Sequence, residues 1–592
     1  MPSLKRVPWW GVALVGALLA LLLFVWDLGS IGLVDETPPL FAASARAMAE
    51  SGDWLIPQVN GLPRYDKPPL MYWLMAAFYS LPGHSQWDSL GSWSAALPSA
   101  LASAATLVLL CLLTAWWERR VLRQPQGLWL AAGLFYGLSP LVMLWSRIGV
   151  SDSLLTALVA LALVSSWWCV TSPKVPWWLC WLALGLATLT KGPVALVLFG
   201  LCWGGCLLLD RNLPVILRRL RPLPGLWISL LIAAPWYGAA LWRDGAAFAQ
   251  SFFGYHNLQR FTQVVNRHAA PWWFYGVMVV VASLPWTPLL LLGLWRGLLH
   301  GPGLPRFAAC WLLAVLLLFS VSATKLPSYW LPATPAAALL AATVLSAQDR
   351  TARWCVRFSA ALSVGLGLAL AFTPHWLAQV ADPDLVGLEE ALMASGLIPP
   401  AVLMLMAGGL IALWFSHSNR SDCLARPVLL VQFSWLLLVA ALFWPLLRLG
   451  DAFRSQPIRA LAWRASAVQA SEQLRGQPIA MLGVVRPSLH FYSRAPIAYE
   501  GTSAQALVNL TDRLRSEARL RAPLQSERIL VAAPLALSQH RHWAALLSPR
   551  IAQAGRFGLW WLDRRRLERR AQLLHQRQGL RPTWQVPQPE RF

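Results

Sequence analysis

Charge is scarce in this 592-residue chain: Asp, Glu, Lys and Arg together make up 13% of it, against 57% hydrophobic residues. With a mean hydropathy of +0.51, the chain carries more apolar surface than a soluble protein of this length can bury, which excludes a soluble globular class. Acidic residues are scarcer still, 26 against 49 Lys and Arg, for a formal charge of +23. The basic residues sit between apolar spans or in the last part of the chain, Asp451 to Phe592, so no nucleic-acid partner is expected. That last part has no cysteine: the eight are Cys111, Cys169, Cys180, Cys202, Cys206, Cys310, Cys355 and Cys423, and no disulfide or zinc framework is readable there. There is no P-loop, no His-Glu-x-x-His, no Gly-x-Ser-x-Gly elbow and no Gly-x-Gly-x-x-Gly between a strand and a helix, so a nucleotide cofactor is not expected. No repeat of fixed period and no low-complexity linker occurs. Lys5 and Arg6 precede an apolar stretch from Trp9 to Trp26 that is too long for a signal peptide and has no small-residue cleavage site before Asp27, so it reads as an uncleaved first helix.

What is present is a series of apolar runs. Crossing ~30 Å of hydrocarbon takes about 20 helical residues. By that criterion, spans are predicted over 9–28, 91–117, 127–146, 151–170, 176–190, 192–209, 225–242, 272–296, 307–323, 328–347, 355–373, 397–416 and 427–448, about thirteen in all. Pro68 to Leu81 is short and begins with Pro68-Pro69, which suits an interfacial or re-entrant segment. The 36 Trp residues suit membrane interfaces. With the N-terminus cytoplasmic, the inside loops collect Arg119, Arg120, Arg123, Lys174, Arg211, Arg218, Arg219, Arg221, Arg296, Arg306, Arg350, Arg353, Arg357, Arg420 and Arg426, the positive-inside pattern. Two long loops, 28–90 and 243–271, and the C-terminal region then lie outside.

From Asp451 the composition becomes mixed and Arg-rich. Ile479 to Val485, Ile529 to Ala532 and Gly558 to Leu562 read as strands and Ser503 to Arg515 as a helix. The expected fold is an α-helical polytopic membrane protein: residues 1–450 form the transmembrane domain and residues 451–592 a small extracytoplasmic α/β domain, after a hinge at Asp451 to Arg459.

The candidate functional residues gather on the outside. Asp35-Glu36 stand at the end of the first span, where a carboxylate pair serves as general base, metal ligand or cap for a helix begun by Thr37-Pro38-Pro39. Ser51-Gly52-Asp53-Trp54 and Asn60-Gly61-Leu62-Pro63 are turn chemistry. They lead into Arg64-Tyr65-Asp66-Lys67-Pro68-Pro69, where Asp66 and Lys67 suit either a metal and a phosphate at headgroup level or a snorkelling ion pair. Arg147 and Asp152 bracket the turn between the third and fourth spans; Lys191 lies in Thr190-Lys191-Gly192-Pro193, and Lys325 and Tyr329 in Thr324-Lys325-Leu326-Pro327-Ser328-Tyr329. Each alone is an ordinary interfacial anchor; gathered on one face they mark a cavity. In the second long loop His256 and Arg260, four apart, share a face if helical, a pattern that suits metal or phosphate; His268 and Pro271-Trp272-Trp273 follow.

The series Asp35-Glu36, Ser51-Gly52-Asp53-Trp54, Asn60-Gly61-Leu62-Pro63, Tyr65-Asp66-Lys67-Pro68-Pro69 and Tyr72-Trp73, followed by Thr190 to Pro193, Tyr255-His256 to Arg260-Phe261, Pro271-Trp272-Trp273 and Lys325 to Tyr329, resembles the GT-C glycosyltransferases. The nearest groups are the bacterial lipid A aminoarabinose transferases and their family 39 and 83 relatives, related to protein O-mannosyltransferases. The resemblance covers residues 1 to about 450 and the external C-terminal domain. It implies a polyprenyl-phosphate-linked sugar donor in the membrane lipid, a lipid, glycan or protein acceptor, and inversion outside the cytoplasmic (inner) membrane. Asp35 would act on the acceptor, with Glu36 beside it. Lys67, Lys191 and Arg260 would hold phosphate oxygens, with Tyr65, Arg147, Asp152, Lys325 and Tyr329 lining the substrate cavity. Asp66 and His256 match positions that share a divalent metal, Zn, Mg or Mn. Pro38-Pro39 replace the Arg-Tyr pair that usually follows Asp-Glu, and Asp66 replaces a Glu. The alternative class is a lipid or solute transporter or flippase, since many helices with intramembrane charges also suit transport.

Overall fold

A computed structural model describes residues 7–585 except 124–125, 173–174, 211–212, 265–268, 300–302, 378, 380–381, 418–423 and 521–526. Lys5, Arg6, Lys174, Arg211, His268, Arg420 and Cys423 lie outside the described residues. Among the described residues seven helices are long and apolar enough to cross a membrane: Ser92–Leu122, Ser151–Thr171, Pro222–Thr262, Leu304–Val321, Arg350–Ala371, Ile398–His417 and Ala425–Arg454. Shorter apolar helices run over Trp9–Val25, Leu70–Tyr79, Leu128–Gly137, Trp178–Lys191, Val194–Asp210 and Thr287–Leu299.

Several expected spans are interrupted, each where proline or backbone chemistry forbids a continuous helix. The span 127–146 splits into Leu128–Gly137 and Pro140–Trp145, because Pro140 has no N–H for the preceding turn and Ser139 is extended. The span 272–296 splits into Phe274–Val281 and Thr287–Leu299 around Pro285. The span 328–347 opens as a 3-10 turn, Pro327–Ala333, and becomes α-helical only at Thr334. In contrast, the span 225–242 is too short. The helix Pro222–Ala249, kinked at Gly245, continues as a wider π-helical stretch, Gln250–Gln259, and ends at Thr262, so most of the expected second loop is helix.

The first outer loop is also largely helical. Thr37–Ser51 begins with Pro38 and Pro39 in its first turn and stops at Gly52, whose φ of 73° closes the C-terminus. A two-residue hairpin, β1 (Gln58–Val59) and β2 (Leu62–Pro63), turns at Asn60-Gly61, both at positive φ. Leu70–Tyr79 follows, with Met71, Tyr72, Met75 and Ala76 fully buried.

The C-terminal sheet is built from β3 (Ile479–Leu482), β4 (Ile497–Glu500), β5 (Arg528–Pro534), β6 (Ala552–Ala554) and β7 (Phe557–Asp563), in the order β4-β3-β5-β7-β6. β4, β3 and β5 are parallel; β7 and β6 are antiparallel to their neighbours. The alternation of side chains sorts two cores. Ala480, Leu482, Val531 and Trp560 pack under the helices Ala504–Ser516 and Arg564–Gln578. Ile479, Met481, Leu530 and Leu559 instead join Leu40, Phe41, Met48, Tyr72 and Met75 of the first outer loop in one continuous core.

The expected hinge at Asp451 to Arg459 is instead a clamp. Arg459 holds Asp451 by two hydrogen bonds, 3.0 and 2.7 Å, and Asp451 also accepts from the Gly32 backbone at 3.2 Å. A buried bidentate pair that also ties residue 32 to residue 451 resists bending.

Candidate active site

The segment Arg64 to Pro69 enters the helix Leu70–Tyr79 and carries three charged residues, Arg64, Asp66 and Lys67. The Arg64 backbone N–H donates to Pro57 at 2.7 Å, closing the base of the β1–β2 hairpin. From there Arg64 Nη2 reaches Asp66 Oδ2 at 2.5 Å, Tyr72 Oη donates to Asp66 Oδ1 at 2.9 Å, and Arg64 Nε donates to Tyr72 Oη at 3.1 Å. Both carboxylate oxygens of Asp66 are therefore occupied. Burial works to raise this carboxyl, but Arg64, Lys67, His256 and the Tyr72 hydrogen bond prevail and hold it below the usual carboxylate range.

Lys67 is placed differently from its sequence neighbour. Its ammonium donates to the Asp66 backbone carbonyl at 2.7 Å and stands 3.9 Å from Asp66 Oδ2. Burial, together with the positive charges of Arg260, Lys191 and Arg64 and against that of Asp66, brings it down to about 7. Lys191, at the end of the helix Trp178–Lys191, pairs with Asp152 at 2.5 Å, and its ammonium lies 4.9 Å from the centre of the Tyr329 ring. His256 and Arg260 come from the π-helical stretch and the turn after it. His256 acts on Asp66, and Arg260 on Lys67, so the pair four apart in sequence does meet one site. His256 Nδ1 and Arg260 Nε are buried and make no hydrogen bond, which is uncommon for buried polar atoms.

The structure thus brings Asp66, Lys67, Asp152, Lys191, His256, Arg260 and Tyr329 together. Three other expected members are directed elsewhere. The Tyr65 hydroxyl donates to Asp244 at 3.0 Å and its ring packs edge-on against Phe248. Arg147 donates to the Trp26 carbonyl and sits beside Trp444, lining a separate pocket with Asp27, Gly29 and Ser92. Lys325 is buried and turned back on the Ser322 carbonyl at 2.6 Å.

Asp35 and Glu36 part company. Asp35 holds φ at +70°, a left-handed conformation that Asp tolerates; its carboxylate is 54% exposed and meets Arg454 at 3.2 Å. Glu36 accepts from the Ser488 backbone N–H at 2.9 Å and the Ser488 hydroxyl at 3.0 Å, with Arg486 at 3.6 Å. Burial raises it to about 7 against those interactions. These contacts tie Glu36 to the C-terminal domain, while the Asp35 carboxylate faces outward.

Asp66 and His256, the pair expected to share a divalent metal, interact electrostatically in this arrangement. Among the described residues no three His, Cys, Asp or Glu side chains converge. Each oxygen of Asp66 accepts one hydrogen bond, from Arg64 and from Tyr72, and Lys67 beside it stands among the positive charges of Arg260, Lys191 and Arg64. Net positive charge with the unpartnered Arg260 Nε–H suits a phosphate.

Arg64 is a further residue of this site, two residues before Asp66, that no motif in the sequence marks. Asp244, Arg454 and Ser488 also belong to the network, and their partners lie 179 to 452 residues away and leave no local signal.

Residues 66–238 match the dolichyl-phosphate-mannose-protein mannosyltransferase family, and residues 472–578 the C-terminal domain of cyanobacterial RgtA-type glycosyltransferases. The chain is 32% identical over 362 residues to an undecaprenyl phosphate-alpha-4-amino-4-deoxy-L-arabinose arabinosyl transferase of Pseudomonas paraeruginosa, a match that covers 59% of this chain and 62% of the relative. A protein of the same name from Pectobacterium carotovorum is 30% identical over 346 residues, 57% of this chain and 59% of the relative. The matched segment thus spans about three fifths of these relatives. The crystal structure of ArnT from Cupriavidus metallidurans bound to undecaprenyl phosphate superposes with a TM-score of 0.72 at 22% identity, covering 93% of this chain and 97% of that one.

Proposed function

From the premise that this chain has the GT-C type glycosyltransferase fold, we propose that it transfers a sugar from an undecaprenyl-phosphate-type donor to a lipid, glycan or protein acceptor at the outer face of the cytoplasmic membrane, with inversion. The observation that carries this reading is the cation cluster. Arg64, Lys67, Lys191 and Arg260 face two carboxylates, Asp66 and Asp152, and the buried Arg260 Nε–H there stands without an acceptor. A phosphate supplies the missing charge and the missing acceptor. The transporter alternative is set aside, because both family matches and the shared fold are those of transferases.

The chemistry follows from the charge. As the acceptor hydroxyl oxygen bonds to the anomeric carbon, the bond from that carbon to the phosphate oxygen breaks and its electron pair leaves with the lipid phosphate. Lys67, Lys191 and Arg260, already ordered in a site largely closed to water, stabilise that developing charge without reorganising. The hydroxyl proton goes to a carboxylate. Asp35 suits that part, because it is accessible and is held by a single cation at 3.2 Å, whereas Glu36 is engaged elsewhere. The outward orientation rests on the arginine-rich loops between spans.

The test is transfer of labelled sugar from a synthetic polyprenyl-phosphate donor in proteoliposomes. Lys67→Met and Asp35→Ala are each expected to lower turnover about a hundredfold or more. Wild-type protein that binds no polyprenyl phosphate, or Lys67→Met with undiminished turnover, sinks the reading.

A further inference from the structure

The seven-residue helix Pro487–Ser493 of the C-terminal domain is gripped by the first outer loop along its length. Ser488 holds Glu36, the Phe491 carbonyl accepts from Arg46 at 2.7 Å, and the Tyr492 hydroxyl accepts from the Leu33 N–H at 3.0 Å. The most complete of these contacts is made by Asn60, at the tip of the β1–β2 hairpin and only 3% exposed. Its backbone N–H donates to His490 Nε2 at 3.0 Å, and its carbonyl accepts from Arg519 at 3.2 Å. Its side-chain amide forms a reciprocal pair with Ile497: Nδ2 donates to the Ile497 carbonyl at 2.9 Å, and Oδ1 accepts from the Ile497 N–H at 2.8 Å.

That pair occupies a sheet edge. β4 is the edge strand next to β3, and Ile497 turns its N–H and C=O away from β3, where its N–H meets Asn60 and its carbonyl accepts from Asn60 and, at 3.1 Å, from the Arg519 guanidinium that also holds the Asn60 carbonyl. The Asn60 amide mimics one peptide unit of a further strand. His490 is fixed as well: its Nδ1 faces the Ala495 carbonyl at 2.9 Å, which only accepts, so Nδ1 carries the proton and Nε2 is the acceptor for Asn60.

The other end of the hairpin is the cation cluster. β1 and β2 have two residues each, too few to be stable alone, and Arg64 follows β2 directly. Arg64 sets Asp66, and Asp66 carries Lys67. The tip is therefore anchored in the C-terminal domain while the base orders the phosphate-facing cations.

We propose that Asn60 is a positioning residue through which the C-terminal domain holds Arg64, Asp66 and Lys67 in their donor-binding arrangement. The inference rests on the transferase reading for what that arrangement binds. It gives the C-terminal domain a part in donor affinity, acting through the hairpin and not through contact with the donor.

The experiment uses full-length protein in detergent with undecaprenyl phosphate as the probe and no acceptor or sugar. Asn60→Gly keeps the positive φ and both backbone hydrogen bonds while removing the side-chain pair with Ile497; His490→Ala removes the acceptor facing the Asn60 N–H by an independent route. Each is expected to weaken binding about five- to tenfold, as loss of one or two buried hydrogen bonds does. In turnover assays the donor KM rises while the acceptor KM holds. Asn60→Asp, which turns one oxygen toward the Ile497 carbonyl, weakens binding at least as much as Asn60→Gly. A purely structural role lowers the active fraction and leaves the Kd of the remainder unchanged. If wild type binds and both Asn60→Gly and His490→Ala bind equally well, the positioning role is overturned. If wild type itself does not bind, the transferase reading falls instead.

Discussion

The Arg64 guanidinium holds the Asp66 carboxylate at 2.5 Å, so the acid next to Lys67 in sequence is not chiefly its counter-ion. Lys67 is left with a backbone carbonyl at 2.7 Å and a carboxylate oxygen at 3.9 Å, among other cations. An ammonium so placed is easily deprotonated until an anion arrives.

Lys67 stands near 7 in the free protein, so above that pH it is mostly neutral. A phosphate dianion alongside favours the charged form and raises it. Binding of undecaprenyl phosphate at pH 8 is therefore expected to take up close to one proton. Calorimetry in buffers of different ionisation enthalpy measures this, and Lys67→Met abolishes the uptake. Uptake unchanged in that variant would mean that another group titrates.

Removing Arg64 takes from the buried Asp66 its closest partner and leaves Tyr72 at 2.9 Å, the Lys67 ammonium at 3.9 Å and His256. Arg64→Ala is expected to cost about 2–4 kcal/mol of stability, as breaking a buried pair does, and to lower Tm. Asp66→Asn in the same protein should recover part of that loss, since the orphaned charge is then gone. Additive losses in the double variant contradict the pairing.

Glu36 is raised to about 7 from an ordinary 4.5 by burial against Ser488 and Arg486. The sign follows from linkage: a raised acid contributes stability that is fully present below 4.5 and lost as pH rises through about 7. Glu36→Gln keeps the shape and an acceptor for Ser488 without the charge. It should match wild type near pH 4.5 and exceed it at pH 8.5 by up to about 1–3 kcal/mol, the upper figure being reduced by partial exposure. Turnover is retained, in contrast to Asp35→Ala. Loss of activity in Glu36→Gln on the same scale would return Glu36 to the reaction.

Asp451 and Arg459 form the clamp at the junction with the C-terminal domain. Arg459→Ala strands a buried carboxylate beside Gly32 and is expected to cost about 3 kcal/mol or more, read as a lower Tm and faster proteolysis after residue 450. A variant as stable as wild type would restore the hinge.

Composition and hydropathy by themselves determined that this is a membrane protein, because burying so much apolar surface needs lipid and no tertiary detail enters. The short-range elements were equally legible. Pro38-Pro39 begin the helix Thr37–Ser51, Asn60-Gly61 make the hairpin turn, and three apolar runs are strands β3, β5 and β7. The order of charged motifs along the chain pointed to Lys67, Lys191, His256 and Arg260, since each ends or borders an apolar run, but not to Arg64, the fourth cation of the cluster. Which of them converge was a tertiary matter. Arg147 and Tyr65 carry the same local signal and are directed elsewhere, because their partners, Trp26 and Asp244, are set by how the helices pack, while Lys325 folds back on Ser322, three residues away. The same holds for Glu36 with Ser488, Asn60 with Ile497, and Asp451 with Gly32, each more than 400 residues apart. A polar residue reads as solvated, catalytic or flexible from its neighbours in sequence; only the fold brings up the opposite charge or the open strand edge that decides which.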